Sequence, residues 1–199
     1  EKPLSRVYPE IDMVATPDGK PVAMVHVNTC TSDLDAWVKV FAQLLEAAGA
    51  NLTKAQLYDM LYFQALEGDA DCGGLVSYNC YSGEPVTGLE EGRPLLVRQP
   101  ENKLTLPNFM RAQLYAAMAT LQIGMELLWA EDVQVEKLYG HGGLFKTKGV
   151  GQRLLAGALG VPVAVMETAG EGGPWGMALL AAYRKNRAQG ETLPQYLEQ

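Results

Sequence analysis

Histidine and cysteine are scarce in this sequence: there are two histidines, His26 and His141, and three cysteines, Cys30, Cys72 and Cys80. The cysteines form no C-x-x-C pair and are odd in number, which argues against a disulfide framework or a zinc cage and for reduced thiols in a cytoplasm. The histidines lie too far apart to suggest a metal site. Basic runs are missing as well, since none is longer than the pair Arg184-Lys185, and 16 Lys plus Arg stand against 23 Asp plus Glu for a net charge of −7. A nucleic-acid backbone would meet no electrostatic footprint here. No apolar stretch approaches the roughly 18 residues of a membrane span; Ala156 to Met166 is short and broken by Gly160 and Pro162. Neither an initiator Met nor an apolar signal segment precedes Glu1, so a piece of something longer is expected.

What is present is an ordinary globular composition, 48% hydrophobic and 20% charged over 199 residues. A chain this long buries about 70% of its unfolded surface, enough for a sizeable core. Thr16-Pro17-Asp18-Gly19-Lys20-Pro21 is a strong turn signal and predicts a hairpin between Ile11–Val14 and Val22–Val27. Thr31, Ser32 and Asp33 are candidate N-caps for an amphipathic helix carrying Leu34, Trp37, Val38, Phe41, Leu44 and Leu45 and ending at Gly49. Thr53 caps a second helix, running to Gly68. Between Gly68 and Pro107 the periodicity fails, and an irregular, glycine-rich stretch of this length is usually functional. From Pro107 the pattern Phe109, Leu114, Met118, Leu121, Met125, Leu128 predicts one long helix to Ala130.

The last third alternates types: a strand over 135–139, a helix over 149–159, a strand over 162–166 and a helix over 173–188. That order predicts a parallel βαβα unit. Glycine clusters follow both strands, Gly140-His141-Gly142-Gly143-Leu144-Phe145-Lys146-Thr147 and Thr168-Ala169-Gly170-Glu171-Gly172-Gly173. Glycines at a strand's carboxyl end let a ligand approach the backbone, and the next helix offers unpaired N–H groups. One such turn is as often a tight connection as a ligand site, whereas two adjacent turns favour a ligand. The dinucleotide pattern G-x-G-x-x-G and the Walker A pattern both meet Phe145 where they require glycine, although Lys146-Thr147 suits the second and keeps a P-loop phosphotransferase as a minor alternative.

The run Gly-His-Gly-Gly-Leu-Phe-Lys-Thr, followed by Gln152-Arg153-Leu154-Leu155-Ala156 and Leu159-Gly160-Val161-Pro162-Val163, resembles the adenosine motif of the FGGY carbohydrate kinases. Glu171 to Ala182 is similar to that family's closing helix, Ser82-Gly83-Glu84 to its Ser-Gly-Glu-Arg turn, and Asp35-Ala36-Trp37 to its Trp-bearing helix. The resemblance implies an α/β fold, a ribonuclease H-like (actin-like ATPase) domain with a mixed sheet flanked by helices, spanning residues 1–199 as the C-terminal nucleotide-binding lobe. It implies ATP and Mg2+ as cofactors, and Gly142, Gly143, Lys146, Thr147 and Ser32 as the nucleotide-binding residues. The sequence departs from the motif at Leu144-Phe145, Lys148 and Gly157. The family's Asp-x-Gly-Thr hairpin, its base and its Gly-Thr-Ser loop have no counterpart, so neither a catalytic residue nor a metal ligand is assigned and the chain is expected to be inactive alone.

The function so implied is transfer of the ATP γ-phosphoryl group to a sugar hydroxyl, of a ketopentose such as xylulose or ribulose, with the sugar bound through an N-terminal lobe. A membrane or nucleic-acid partner is not expected, and a homodimer is left open. The rival of another class is a non-catalytic actin-like sensor or scaffold. Among single residues, His26 reads better as a hydrogen-bonded core histidine than as a cleft residue, and His141 as either loop contact or spacer. Asp69, Asp71 and Glu84 read as acids of solvated loops, Met118 and Met125 as core, and Trp175 as a rim contact.

Overall fold

A computed structural model describes residues 3–167 and 169–198. Glu1, Lys2 and Thr168, the last named in the second glycine cluster, lie outside the described residues. The Asp-Gly turn joins β1 (Asp12–Ala15) to β2 (Pro21–Met24), antiparallel with Asp12 opposite Met24 and Ala15 opposite Pro21. Helix α1 (Ser32–Ala47) follows and buries Leu34 and Val38. Helix α2 (Lys54–Leu66) starts with a reciprocal cap, the Gln56 N–H donating to Thr53 Oγ1 at 3.3 Å and the Thr53 N–H to Gln56 Oε1 at 2.9 Å. This exposed box satisfies two otherwise orphaned donors. Thr53→Ala is expected to cost about 1 kcal/mol, read as a lower urea midpoint at unchanged slope.

The irregular middle proves to contain a ladder, β3 (Val76–Tyr78) antiparallel to β4 (Leu95–Val97). The long helix expected over 107–130 is instead two, α3 (Leu106–Ala116) and α4 (Ala119–Ala130). Neither Gly nor Pro sits at the break, so backbone propensity does not cause it. Met118 leaves the helix at φ −117° and ψ −10°, its N–H bonded back to the Tyr115 carbonyl at 3.0 Å. Ala117 and Met118 are buried at the break, and beyond it Gly124 of α4 lies so close to Val25 that a β-carbon would overlap that side chain.

Beyond α4, β5 (Leu138–Gly140) runs parallel to β6 (Val163–Val165), with Leu138 opposite Val163 and Gly140 opposite Val165. Helix α5 (Val150–Leu159) connects them and α6 (Gly172–Asn186) follows, which is the βαβα order expected. A short α7 (Leu193–Leu197) closes the chain and was not anticipated. Parallel and antiparallel pairing are both present, as a mixed α/β fold requires. Among the described residues, though, the strands form three separate two-stranded ladders, each strand three or four residues long, and helices fill the space between.

Helix α3 lies at the centre, against α2, α5 and β3. Leu34, Leu61, Met110, Leu114 and Val150 are fully enclosed there, with Met118 and Met125 also in the core as expected. Each such aliphatic side chain is stabilised by about 1.5–3 kcal/mol on leaving water. Trp37 packs edge-on to Phe109 at 4.9 Å between ring centres, which fixes α1 on α3. None of the described helices is long and apolar enough to cross a membrane. All three cysteines are free thiols.

Two single-residue expectations are corrected. His26 is exposed and not a core histidine, because the chain has already left β2 at that point. Glu84 is fully buried, not solvated, since its carboxylate receives peptide N–H groups from Thr29 and Asn28.

Candidate functional site

The first glycine cluster begins where β5 ends. Gly142 has φ +95° and ψ −172°, a conformation only glycine adopts readily, and it turns the chain into a single 3-10 turn over Gly143–Phe145. Phe145, the residue that breaks both phosphate-loop patterns, folds back onto the core: a β-carbon on Gly140 would lie 2.6 Å from its ring and one on Gly151 3.2 Å. The Phe145 ring is therefore packed against Gly140 and Gly151 on the core side of the loop. Thr147 is buried, and its hydroxyl donates to Asp59 Oδ1 at 2.5 Å, tying the loop to α2. Gly149, at φ +83°, begins α5, and its N–H donates to Gln152 Oε1 at 2.6 Å.

The second cluster packs against the first. A β-carbon on Gly170 would meet the Lys146 side chain at 3.3 Å, and one on Gly172 would meet His141 Nδ1 at 2.6 Å. His141 is thus an exposed residue held between the two turns, and Trp175 is more than half exposed. The two glycine turns are neighbours, as the strand order led one to expect.

Between the first loop, the start of α1 and one face of α2 lies a cavity of about 580 Å³. Gly143, Lys146 and Thr147 form its loop side, Thr31 and Asp35 its α1 side, and Lys54, Tyr58, Asp59 and Tyr62 its α2 side. Gly142 stands next to this wall, while Ser32 is exposed at the first position of α1 and does not line the cavity. The structure therefore brings three of the five sequence-expected residues together and places the other two beside them in the chain.

Sequence reasoning missed the α2 wall. Its signal was present: Lys54, Tyr58 and Tyr62 recur every four residues and so form one stripe of the helix. The Tyr58 hydroxyl donates to Asp35 Oδ1 at 2.6 Å, and Lys54 Nζ lies 5.6 Å from the centre of the Tyr58 ring. Burial, and then the hydrogen bond to Asp35, push the Tyr58 phenol well above its usual range. Burial and the neighbouring Tyr58 do the same to Tyr62, so both rings stay neutral.

Two other cavities compare poorly. One of about 720 Å³ is lined mainly by apolar residues of the N-terminal segment, the first hairpin and α4, and by none from either glycine turn. Another of about 600 Å³ lies between the turns, with Lys146 and Lys148 on its wall. The 580 Å³ cavity alone of the three combines aromatic faces, two lysines, two carboxylates and an unobstructed glycine. Its volume lies within the roughly 300–1,000 Å³ typical of small-molecule sites. Among the described residues no group of three or more His, Cys, Asp or Glu could hold a metal ion.

The family model for the C-terminal domain of the FGGY family of carbohydrate kinases matches residues 1–184. The chain belongs to the FGGY family. Its fold is that of FGGY kinases in solved structures, including a xylulose kinase from Bifidobacterium adolescentis at 18% identity and TM-score 0.60, covering 85% of this chain and 32% of that one. A ligand-bound xylulose kinase from Lactobacillus acidophilus gives 17% identity and TM-score 0.66, covering 95% of this chain and 36% of that one. A gluconate kinase from Lactobacillus acidophilus gives 19% and 0.54, with 75% and 29% covered. No curated protein sequence matches. This FGGY chain spans about a third of the length of those solved kinases. Their actin-like ATPase fold is the ribonuclease H-like class that the family resemblance implied.

Proposed function

We propose that this chain is the nucleotide-holding lobe of an ATP-dependent sugar kinase, with the base and most sugar contacts supplied by an N-terminal lobe. The observation that carries the reading is the cavity in which Gly143, Lys146 and Thr147 face Tyr58, Tyr62 and Lys54. In this arrangement adenosine lies across Gly142 and Gly143 against the two tyrosine rings. Asp35 and Asp59 are placed to accept hydrogen bonds from ribose hydroxyls, and Lys54 and Lys146 bring positive charge to the phosphate side. Ser32 stands at the start of α1 beside Thr31, which borders the cavity.

ATP would supply the phosphoryl group, and Mg2+ bound with it would offset the charge of its phosphates. What this chain's residues contribute is binding and orientation: they hold the nucleotide so that its terminal phosphate meets the sugar hydroxyl in line. The fit to a nucleoside phosphate is good on the chemistry present, two cations and two flat neutral aromatics around an open glycine. A ketopentose such as xylulose or ribulose is the proposed acceptor, supported by the xylulose kinases among similar folds. A cytoplasmic setting agrees with the free thiols.

Titration calorimetry of ADP into the two-lobed protein tests this reading. Saturable binding at a single site below millimolar concentration is expected. Absence of heat at millimolar ADP would remove the nucleotide assignment.

A further inference from the structure

Thr147 is one of the residues that the family resemblance assigns to the nucleotide, and it lines the cavity. Its hydroxyl is nevertheless already engaged. A threonine has one hydroxyl proton to give, and here it goes to Asp59 Oδ1 at 2.5 Å, a short bond to a charged acceptor. Thr147 is only 5% exposed, whereas Asp59 stands exposed on α2.

That bond joins residues 88 apart in the chain. Among the described residues no other hydrogen bond links the loop, residues 142–148, to α2. The loop's own backbone bonds, from the Phe145 N–H to the Gly142 carbonyl and from the Lys146 N–H to the Gly143 carbonyl, are 3.2 Å long and close only on the loop. Gly142 and Gly143 have nothing within 4 Å of a β-carbon, so that stretch is not wedged against a neighbour. Helix α2 is held in turn by α1. Tyr58, the residue before Asp59, donates its hydroxyl to Asp35 Oδ1 at 2.6 Å. Consecutive residues of one helix thus fasten the other two walls of the cavity, α1 through Tyr58 and the loop through Asp59.

We propose that Thr147 and Asp59 are a positioning pair: the Thr147 hydroxyl is spent within the wall and does not touch the nucleotide. Asp59 acts through it, holding the glycine loop at the spacing from the Tyr58 and Tyr62 rings that a nucleoside fills. This leaves Asp59 Oδ2 as the oxygen that meets the ribose. The proposal rests on the nucleotide reading above.

The test is a double-mutant cycle in the two-lobed protein, with affinities for ADP and for adenosine measured by calorimetry. Thr147→Val keeps the side chain's shape without its hydroxyl, Asp59→Ala removes the acceptor, and Thr147→Ser keeps a hydroxyl. With Asp59 present, Thr147→Val is expected to weaken ADP and adenosine alike by about 5-fold, the size of one hydrogen bond. In the Asp59→Ala background the same change costs less than about 2-fold, and Thr147→Ser stays within about 2-fold of the unaltered protein. Equal losses from Thr147→Val in both backgrounds would mean that the hydroxyl meets the nucleotide itself, and would overturn the proposal. So would unchanged affinity in Thr147→Val whatever its melting temperature, a serine variant as weak as the valine, or a loss confined to ADP, which would put the effect at the phosphates. In each of these cases the unaltered protein binds ADP, and this inference alone fails. If the unaltered protein does not bind ADP, the nucleotide reading fails and the inference falls with it.

Discussion

Gly143→Val abolishes measurable ADP binding and leaves the fold intact. Gly143 lines the cavity, and nothing lies within 4 Å of a β-carbon built on it. Its φ is not in the left-handed region, so a valine meets neither steric conflict nor backbone strain. The two added methyl groups enter the space an adenosine would occupy over the loop. Because a bound nucleoside is in contact with that backbone, the ligand has to move outward by about a methyl diameter and loses its contacts with Tyr58 and Tyr62 together. A weakening of at least about 100-fold is expected, on the order of 2.7 kcal/mol. The melting temperature should move by no more than about 2 °C, less than 1 kcal/mol for a chain of this size. Gly173→Val is the matched control: its β-carbon also meets nothing within 4 Å, but it belongs to the second turn and does not line the cavity. Calorimetry showing normal ADP affinity in Gly143→Val would place the ligand elsewhere.

The contrast between those two glycines shows what could be read from residues alone. Both turns were visible because a glycine run follows each of two successive strands, and their adjacency, which followed from the strand order, favoured a ligand where one turn alone is as often a tight connection. The difference between them was not visible, since it depends on which helix comes to face each turn. That helix is α2, whose polar stripe lies four residues apart within a sequence whose more obvious periodicity, Leu57, Leu61 and Ala65, belongs to the core. Local pattern reports the buried face well and says little about what the adjoining stripe of Lys54, Tyr58 and Tyr62 comes to face.

The same limit explains the other misses. The break between α3 and α4 is marked by neither Gly nor Pro, and the close approach of Gly124 in α4 to Val25 joins residues about a hundred apart in the chain. Glu84 looked like one acid among several in a loop, because the N–H groups that donate to it belong to Asn28 and Thr29, more than fifty residues earlier in the chain. Short capping patterns, in contrast, were legible: Thr53 with Gln56 is a purely local device and the helix begins where it stands.

Phe145 supplies the second large expected effect, through a packing relation that a double substitution can isolate. Its ring lies over Gly140 and beside Gly151, and a β-carbon on Gly140 would come within 2.6 Å of it. Gly140 is buried at the end of β5, so the methyl of Gly140→Ala has nowhere to go unless the ring leaves. Overpacking of this kind costs about 1–3 kcal/mol, and here the displaced ring also lifts the 3-10 turn that carries Gly143. Phe145→Ala alone removes a half-buried ring from the core edge and opens a void, at a cost of about 3 kcal/mol. In the double variant the alanine methyl enters the space the ring has vacated, so the two losses do not add. The coupling expected is on the order of 1–2 kcal/mol in the stabilising direction, measured by urea unfolding of all four proteins. Nucleotide affinity should follow the same pattern, lowest in Gly140→Ala and partly recovered in the double variant, because the ring's position sets the height of the loop. Strict additivity of the two stability losses would mean that the ring and Gly140 do not share the space, and that the residue which departs most from the family's glycine-rich motif is accommodated in some other way.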